Sequence, residues 1–170
     1  HLRDPGGNPI ANVSVSAYSD SYNACATTDG SGFYTLHVTN GGWNISLDCG
    51  ALSALGYLCS PGAGVWVSGA NEVADFSTIR APYQITGWVR NNSSQPFSNV
   101  NVFAYMIIGT NYYQSDRWTD SSGNYALPVG NGQWNVRVGC DGLGAGYLCP
   151  DAVSVTIAGG SVVTNFTIQP

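Results

Sequence analysis

The stretch TDGSGFYTLHVTNGGWNI at residues 28–45 returns as TDSSGNYALPVGNGQWNV at residues 119–136, an offset of 91. A repeat of this length governs how every local pattern is read, because each copy must then be one unit of a shared scaffold. The match extends both ways. Upstream, NPIANVSVSAY at 8–18 corresponds to QPFSNVNVFAY at 95–105, an offset of 87; downstream, GYLC from Gly56 corresponds to GYLC from Gly146, an offset of 90. The drift places about four extra residues in the second copy near Ile107 to Tyr113 and about one fewer between its paired cysteines, and insertions confined to turns leave a scaffold unchanged.

Within each copy the apolar residues alternate. Val13, Val15 and Ala17 are interleaved with Ser14, Ser16 and Tyr18, and Val100, Val102 and Ala104 with Asn101, Phe103 and Tyr105. The same period of two runs through Tyr34, Leu36 and Val38, through Trp43, Ile45 and Leu47, and through their counterparts Tyr125, Leu127, Val129, Trp134, Val136 and Val138. Period two predicts strands with one buried and one solvated face. Asp29-Gly30-Ser31-Gly32, Asn40-Gly41-Gly42 and Asn131-Gly132 separate the runs and supply the positive dihedrals of tight turns. No long segment carries helical spacing, although Ala51 to Leu55 fits a single turn. The expectation is all-β: two tandem Greek-key-like β-sandwich modules, residues 1–80 and 81–170, each with one disulfide.

The link between the copies, around Arg80-Ala81-Pro82, is very short and predicts an elongated, stalk-like pair. By the offset of 87, His1 stands opposite Trp88, so the first copy has no counterpart of Ala81 to Gly87 and its opening strand is truncated. Two accounts stay open. Either the chain is cut from a longer array, or the exposed edge is completed by a strand from a neighbouring molecule.

Composition narrows the function. The 170 residues are 44% hydrophobic and 9% charged, which excludes a disordered chain. The five basic residues are all arginine, Arg3, Arg80, Arg90, Arg117 and Arg137, against ten acids for a net charge of -5. Nucleic-acid binding needs a clustered basic surface and is not expected. Without lysine, neither Schiff-base nor P-loop chemistry is open to the chain. No apolar stretch reaches the roughly 20 residues of a membrane span, and the opening His-Leu-Arg-Asp lacks a signal-peptide pattern, so a mature or excised form is expected.

Cys49 and Cys59 match Cys140 and Cys149, each pair closing a loop that ends Gly-Tyr-Leu-Cys. One disulfide per module is expected, the alternative being paired buried thiols; a metal site would need spacing such as Cys-x-x-Cys. Disulfides place the chain in an oxidising compartment, secreted or at a cell surface. Cys25 is left over and is expected as a buried thiol, with an intermolecular bridge as the alternative. Glycosylation sequons stand at Asn12, Asn44, Asn91, Asn92 and Asn165, with Asn91 and Asn92 in a predicted turn.

Taken together, GNPIANVSVSAY, TTDGSGFYTLHVTNGGWNISLDCG and GYLC resemble the carboxypeptidase regulatory-like and Cna B-type repeats, whose fold is a prealbumin-like β-sandwich. The resemblance covers nearly all of both copies and implies arrays in bacterial surface proteins, where such modules serve as spacers, stalks and binding domains. Two features of relatives do not carry over. A lysine–asparagine isopeptide bond cannot form without lysine, and Asp29 and Asp120 stand too isolated for a calcium site.

Candidate chemistry is sparse. His1 with His37 resembles the copper-binding histidine brace of polysaccharide monooxygenases, but Pro128 replaces His37 in the other copy. No catalytic residue, metal or cofactor is assigned. Sugar binding has some footing: Tyr18, Trp66, Phe103, Tyr105, Tyr112, Tyr113 and Trp118 are read as outward aromatics suited to stacking on glycans or to packing against other copies. The sequence thus points to a non-enzymatic extracellular structural module, a stalk, adhesin or filament subunit whose partners are neighbouring copies. The alternative is a carbohydrate-binding pair attached to a secreted enzyme.

Overall fold

Most of the alternating stretches form strands, Tyr34–Val38 being the exception. A computed structural model describes residues 1–144 and 146–170 and divides them into two units, His1–Arg80 and Ala81–Pro170. In unit 1, β1 (Leu2–Arg3), β2 (Ser14–Tyr18), β3 (Asn23–Thr27) and β4 (Gly41–Leu47) are followed by helix α1 (Cys49–Ala54), β5 (Ala63–Val67) and β6 (Phe76–Ser77). One sheet has the antiparallel order β3-β2-β4-β5, and β1 pairs in parallel with β6. Between them lies a core of Leu2, Ile10, Val13, Val15, Ala17, Trp43, Ile45, Leu47, Leu52 and Phe76.

Unit 2 contains β7 (Tyr83–Asn91), β8 (Asn101–Ile108), β9 (Asn111–Trp118), β10 (Asn124–Val129), β11 (Gly132–Val138), β12 (Val153–Ile157), β13 (Val162–Val163) and β14 (Phe166–Ile168). Its sheet β12-β11-β8-β9 matches the four-stranded sheet of unit 1 strand for strand. The opposing sheet places β7 between β10, antiparallel, and β13, parallel, with β14 also parallel along β7. Each unit is an all-β, Greek-key-like sandwich carrying one disulfide, Cys49–Cys59 or Cys140–Cys149.

The bracing repeats contact by contact. Asp29 Oδ1 accepts the backbone N–H groups of Ser31 and Phe33, as Asp120 Oδ1 accepts those of Ser122 and Asn124. These bonds favour the ionised carboxylate and hold both aspartates below their ordinary pKa; at Asp29 the Ser31 hydroxyl contributes most, at Asp120 the Asn124 backbone N–H. Buried Thr28 and Thr119 accept from the backbone N–H of Val13 and Val100 at 3.0 and 2.9 Å. Trp43 Nε1 donates to the Thr39 carbonyl and Trp134 Nε1 to that of Gly130, both at 2.9 Å. Gly32 and Gly123, at φ 70° and 76°, each bring the turn so close to a strand carbonyl, Leu2 or Val89, that a Cβ would collide with it.

Three local expectations are corrected. The extra residues of the second copy are not a loop. They lengthen the β8–β9 hairpin, whose ladder runs from Asn101↔Trp118 to Ile108↔Asn111. Tyr34 to Val38, expected as a strand, forms no ladder, whereas its counterpart β10 pairs along its length with β7. The reason is register: β1 corresponds only to the Val89–Arg90 end of β7 and His1 to Trp88, so among the described residues nothing lies where Tyr83–Gly87 would pair. Cys25 is exposed, because β3 turns Ala24 and Ala26 inward and the thiol outward.

Candidate functional site

Two surfaces concentrate the unusual groups: the outer face of the β12-β11-β8-β9 sheet in unit 2 and the unpaired edge of unit 1. On the first, period-two geometry brings Phe103, Tyr105, Tyr112 and Trp118 to one face. Tyr105 and Tyr112 stack with ring centroids 5.8 Å apart, and the Arg137 guanidinium lies 6.0 Å from the Tyr105 ring. Partial burial against this neighbour raises the Tyr112 phenol, with Tyr105 adding a smaller push. Trp118, at the far end of β9, is 60% exposed.

Tyr113 does not join them, which corrects its reading as a ligand or interface aromatic. It stands opposite Met106 in the ladder, on the inward phase of β9, and is 1% exposed. The inserted residues extend a paired hairpin rather than a turn, and strand alternation through them turns Tyr113 inward. Of the remaining rings Tyr105 and Tyr112 stack on each other, and Tyr105 is also engaged by Arg137. Tyr18 and Trp66 lie exposed on unit 1, on separate strands.

The edge of unit 1 is built differently. Tyr34, Leu36 and Val38 line one side of an open slot of about 440 Å³; Glu72, Val73, Ala74 and Asp75 line the other; Trp43, Ile45, Val65 and Val67 form its floor. The Tyr34 hydroxyl crosses the slot to donate to the Ala74 carbonyl at 2.5 Å. Burial, and secondarily the Asp75 charge, push its pKa up to about 12. The His1 amino group donates to Asp75 Oδ1 at 2.6 Å and caps one end. None of the slot's acidic residues was singled out from sequence. The signal available was the offset of 90, which sets Ala74 and Asp75 against Thr164 and Asn165.

The sequon asparagines divide by their bonding. Asn91 ends β7 with its side chain tied to Ser93 and Gln95, and Asn165 Oδ1 accepts from the Trp88 N–H. Asn12, Asn44, Asn92 and Asn165 are exposed. His1 and His37 both border the slot. Among the described residues no group of three or more His, Cys, Asp or Glu side chains is placed to hold a metal ion, and no helix is long and apolar enough to cross a membrane.

No known protein family and no curated protein matches the chain. Among solved structures it is similar to the Bacillus anthracis TIE protein at 11% identity and TM-score 0.42, over 99% of this chain and 32% of that one. It is similar to a streptococcal ancillary pilin at 12% identity and TM-score 0.42, over 99% of this chain and 60% of that one. Shaft pilin SpaA of Lactobacillus rhamnosus GG follows at 11% identity and TM-score 0.39, over 96% of this chain and 89% of that one. The chain therefore spans less than two thirds of the first two, and likeness at these TM-scores assigns it no family and no activity.

Proposed function

We propose that this chain is an extracellular structural module of a repeat-built surface protein or fibre, serving as a stalk, adhesin or filament subunit whose partners are neighbouring copies. What supports the reading is the kind of thing that is duplicated. The repeated contacts are braces: the Asp29 and Asp120 turns, the Thr28 and Thr119 clamps, the Trp43 and Trp134 anchors, and a disulfide in each unit. The stacked Tyr105–Tyr112 pair, by contrast, has no counterpart in unit 1, where the exposed rings Tyr18 and Trp66 stand on separate strands. Repeats that brace themselves in the same way suit a quasi-one-dimensional spacer or filament, while the fold by itself assigns no binding site.

On this reading 1–80 and 81–170 are separately folding repeats, and the disulfides suit a secreted or cell-surface setting. Single-molecule extension of the full chain tests it. Two discrete unfolding events are expected, and reduction should lengthen each by the freed loop of nine or ten residues, about 30–36 Å at full extension. A single gradual extension at low force, or catalytic turnover by the purified chain, would overturn the proposal.

A further inference from the structure

The outer faces of the two four-stranded sheets are laid out alike and finished differently. In unit 1, Tyr18 of β2, Asn44 of β4 and Gly64 of β5 stand side by side across the sheet, and the next outward rung sets Gly42 against Trp66. In unit 2 the same places hold Tyr105, Asn135 and Ser154, then Gln133 against Thr156. Unit 2 closes this face with its own side chains. The Arg137 guanidinium lies 6.0 Å from the Tyr105 ring, Tyr112 stacks on that ring, and Gln133 Nε2 donates to Ser154 Oγ at 3.0 Å.

Unit 1 leaves the corresponding face open. Tyr18 is 49% exposed and Trp66 72%. A Cβ built on Gly64 would meet nothing within 4 Å, and the Trp66 ring lies across Gly42, 3.3 Å from where its Cβ would stand. Residues directly opposite on neighbouring strands have Cβ atoms about 5 Å apart and diagonal ones lie within roughly 8 Å, so both rings are in reach of a group carried by Asn44. Asn44 faces solvent between the buried Trp43 and Ile45, and it opens the sequon Asn44-Ile45-Ser46 with Ser46 on the same outer face. In unit 2 the third position is Arg137, the residue that covers Tyr105. The acceptor signal thus stands on the face whose rings are uncovered and gives way to a covering side chain on the other. The remaining sequon asparagines are placed differently. Asn91 Nδ2 donates to Gln95 Oε1 at 3.0 Å, Asn165 Oδ1 accepts the Trp88 N–H, and Asn12 and Asn92 lie outside the strands.

We infer that Asn44 is a site of N-linked glycosylation and that the first sugars of the glycan lie over Tyr18 and Trp66. The donor is an oligosaccharide carried on a lipid diphosphate, and the catalyst is an oligosaccharyltransferase of the export route. Asn44 Nδ2 attacks the anomeric carbon, and the new N–C bond forms as the C–O bond to the diphosphate breaks. The lipid diphosphate leaves with that electron pair, the amide gives up one proton to the transferase, and nothing is oxidised or reduced. Gly64 and Gly42 leave the linked sugar room against the sheet, where unit 2 has Ser154 and Gln133. One side of a pyranose ring is a flat array of C–H groups, which suits the face of an aromatic ring, and covering Tyr18 and Trp66 removes exposed apolar surface. The inference goes beyond the structural-module reading and rests on it only for export.

The test starts from the chain isolated from its native source, with peptides spanning Asn44 read by electron-transfer mass spectrometry, which keeps a glycan on its residue. A sugar mass on Asn44 is expected in most copies, and an Asn44 left unmodified in most copies would overturn the site. Ser46→Ala and Ser46→Thr variants from the same host separate attachment from folding: the first should lose the glycan and the second keep it. Hydroxyl-radical footprinting then reads the rings. Oxidation of Tyr18 and Trp66 should rise about threefold in Ser46→Ala and stay at the parental level in Ser46→Thr, because the rate follows the ring area open to solvent. Trp118, 60% exposed in unit 2, is the internal control and should not change. Equal oxidation of Tyr18 and Trp66 with and without the glycan would overturn its seat on the rings, and so would a parallel rise at Trp118. Because the extension experiment does not depend on the glycan, failure here and failure of the structural-module reading are distinguishable.

Discussion

Tyr34 and Asp29 show how much single side chains hold in this scaffold. The Tyr34 hydroxyl is a donor only while protonated, and its pKa is raised from 10.0 to about 12. A raised folded-state value means the stabilisation is complete below pH 10 and fades as pH climbs toward 12. Tyr34→Phe should cost about 1 kcal/mol at neutral pH and flatten the alkaline decline of the melting temperature, followed by circular dichroism. Asp29 and Asp120 act in the opposite sense. Their lowered values mean stabilisation that is present above the ordinary carboxylate pKa of 3.8 and is lost as pH falls below it. The double variant Asp29→Ala, Asp120→Ala should therefore lower the melting temperature at pH 7 and reduce its further drop in acid. At this scale the sequence was half legible: Asp-x-x-Gly announced the turns, but nothing local to Tyr34 named Ala74, forty residues on, as its acceptor.

At the scale of elements, the two disulfides close loops of sequence separation 10 and 9. In unit 1 the loop begins with α1, whose amino end is capped by Asp48 Oδ1 accepting the Gly50 and Ala51 N–H groups. Cys49→Ser with Cys59→Ser should lower the stability of unit 1 by roughly 2–3 kcal/mol through the freed unfolded chain. Urea denaturation of the variant against the parent under oxidising conditions measures it. The strands themselves could be read from alternation, which reports burial on one face and so survives wherever a strand covers a core. It failed at two places for one reason: alternation says nothing about partners. Tyr34–Val38 alternates without pairing, and Ile107–Tyr113 pairs where the offsets implied only a loop.

For the whole chain, duplication permits an internal control that few proteins offer. Gly87→Val places a side chain against the Thr164 carbonyl and should destabilise unit 2 by about 3 kcal/mol, while amide exchange in unit 1 stays unchanged. If exchange in both units accelerates together, they do not fold separately. Fold class was legible at this scale because the copies corroborate each other, each alternation being seen twice. The slot was legible only as a gap in the alignment of His1 with Trp88. Its walls are formed by Tyr34–Val38 and Glu72–Asp75, which lie far apart in sequence, so only the folded chain brings them together.

The outward thiol of Cys25 gives the molecule one chemically addressable point among its described residues, since the other four cysteines are bridged. A maleimide dye or a gold cluster attached there would tag every subunit at the same place on β3, so distances between tags would report how successive subunits are spaced and oriented within whatever they build.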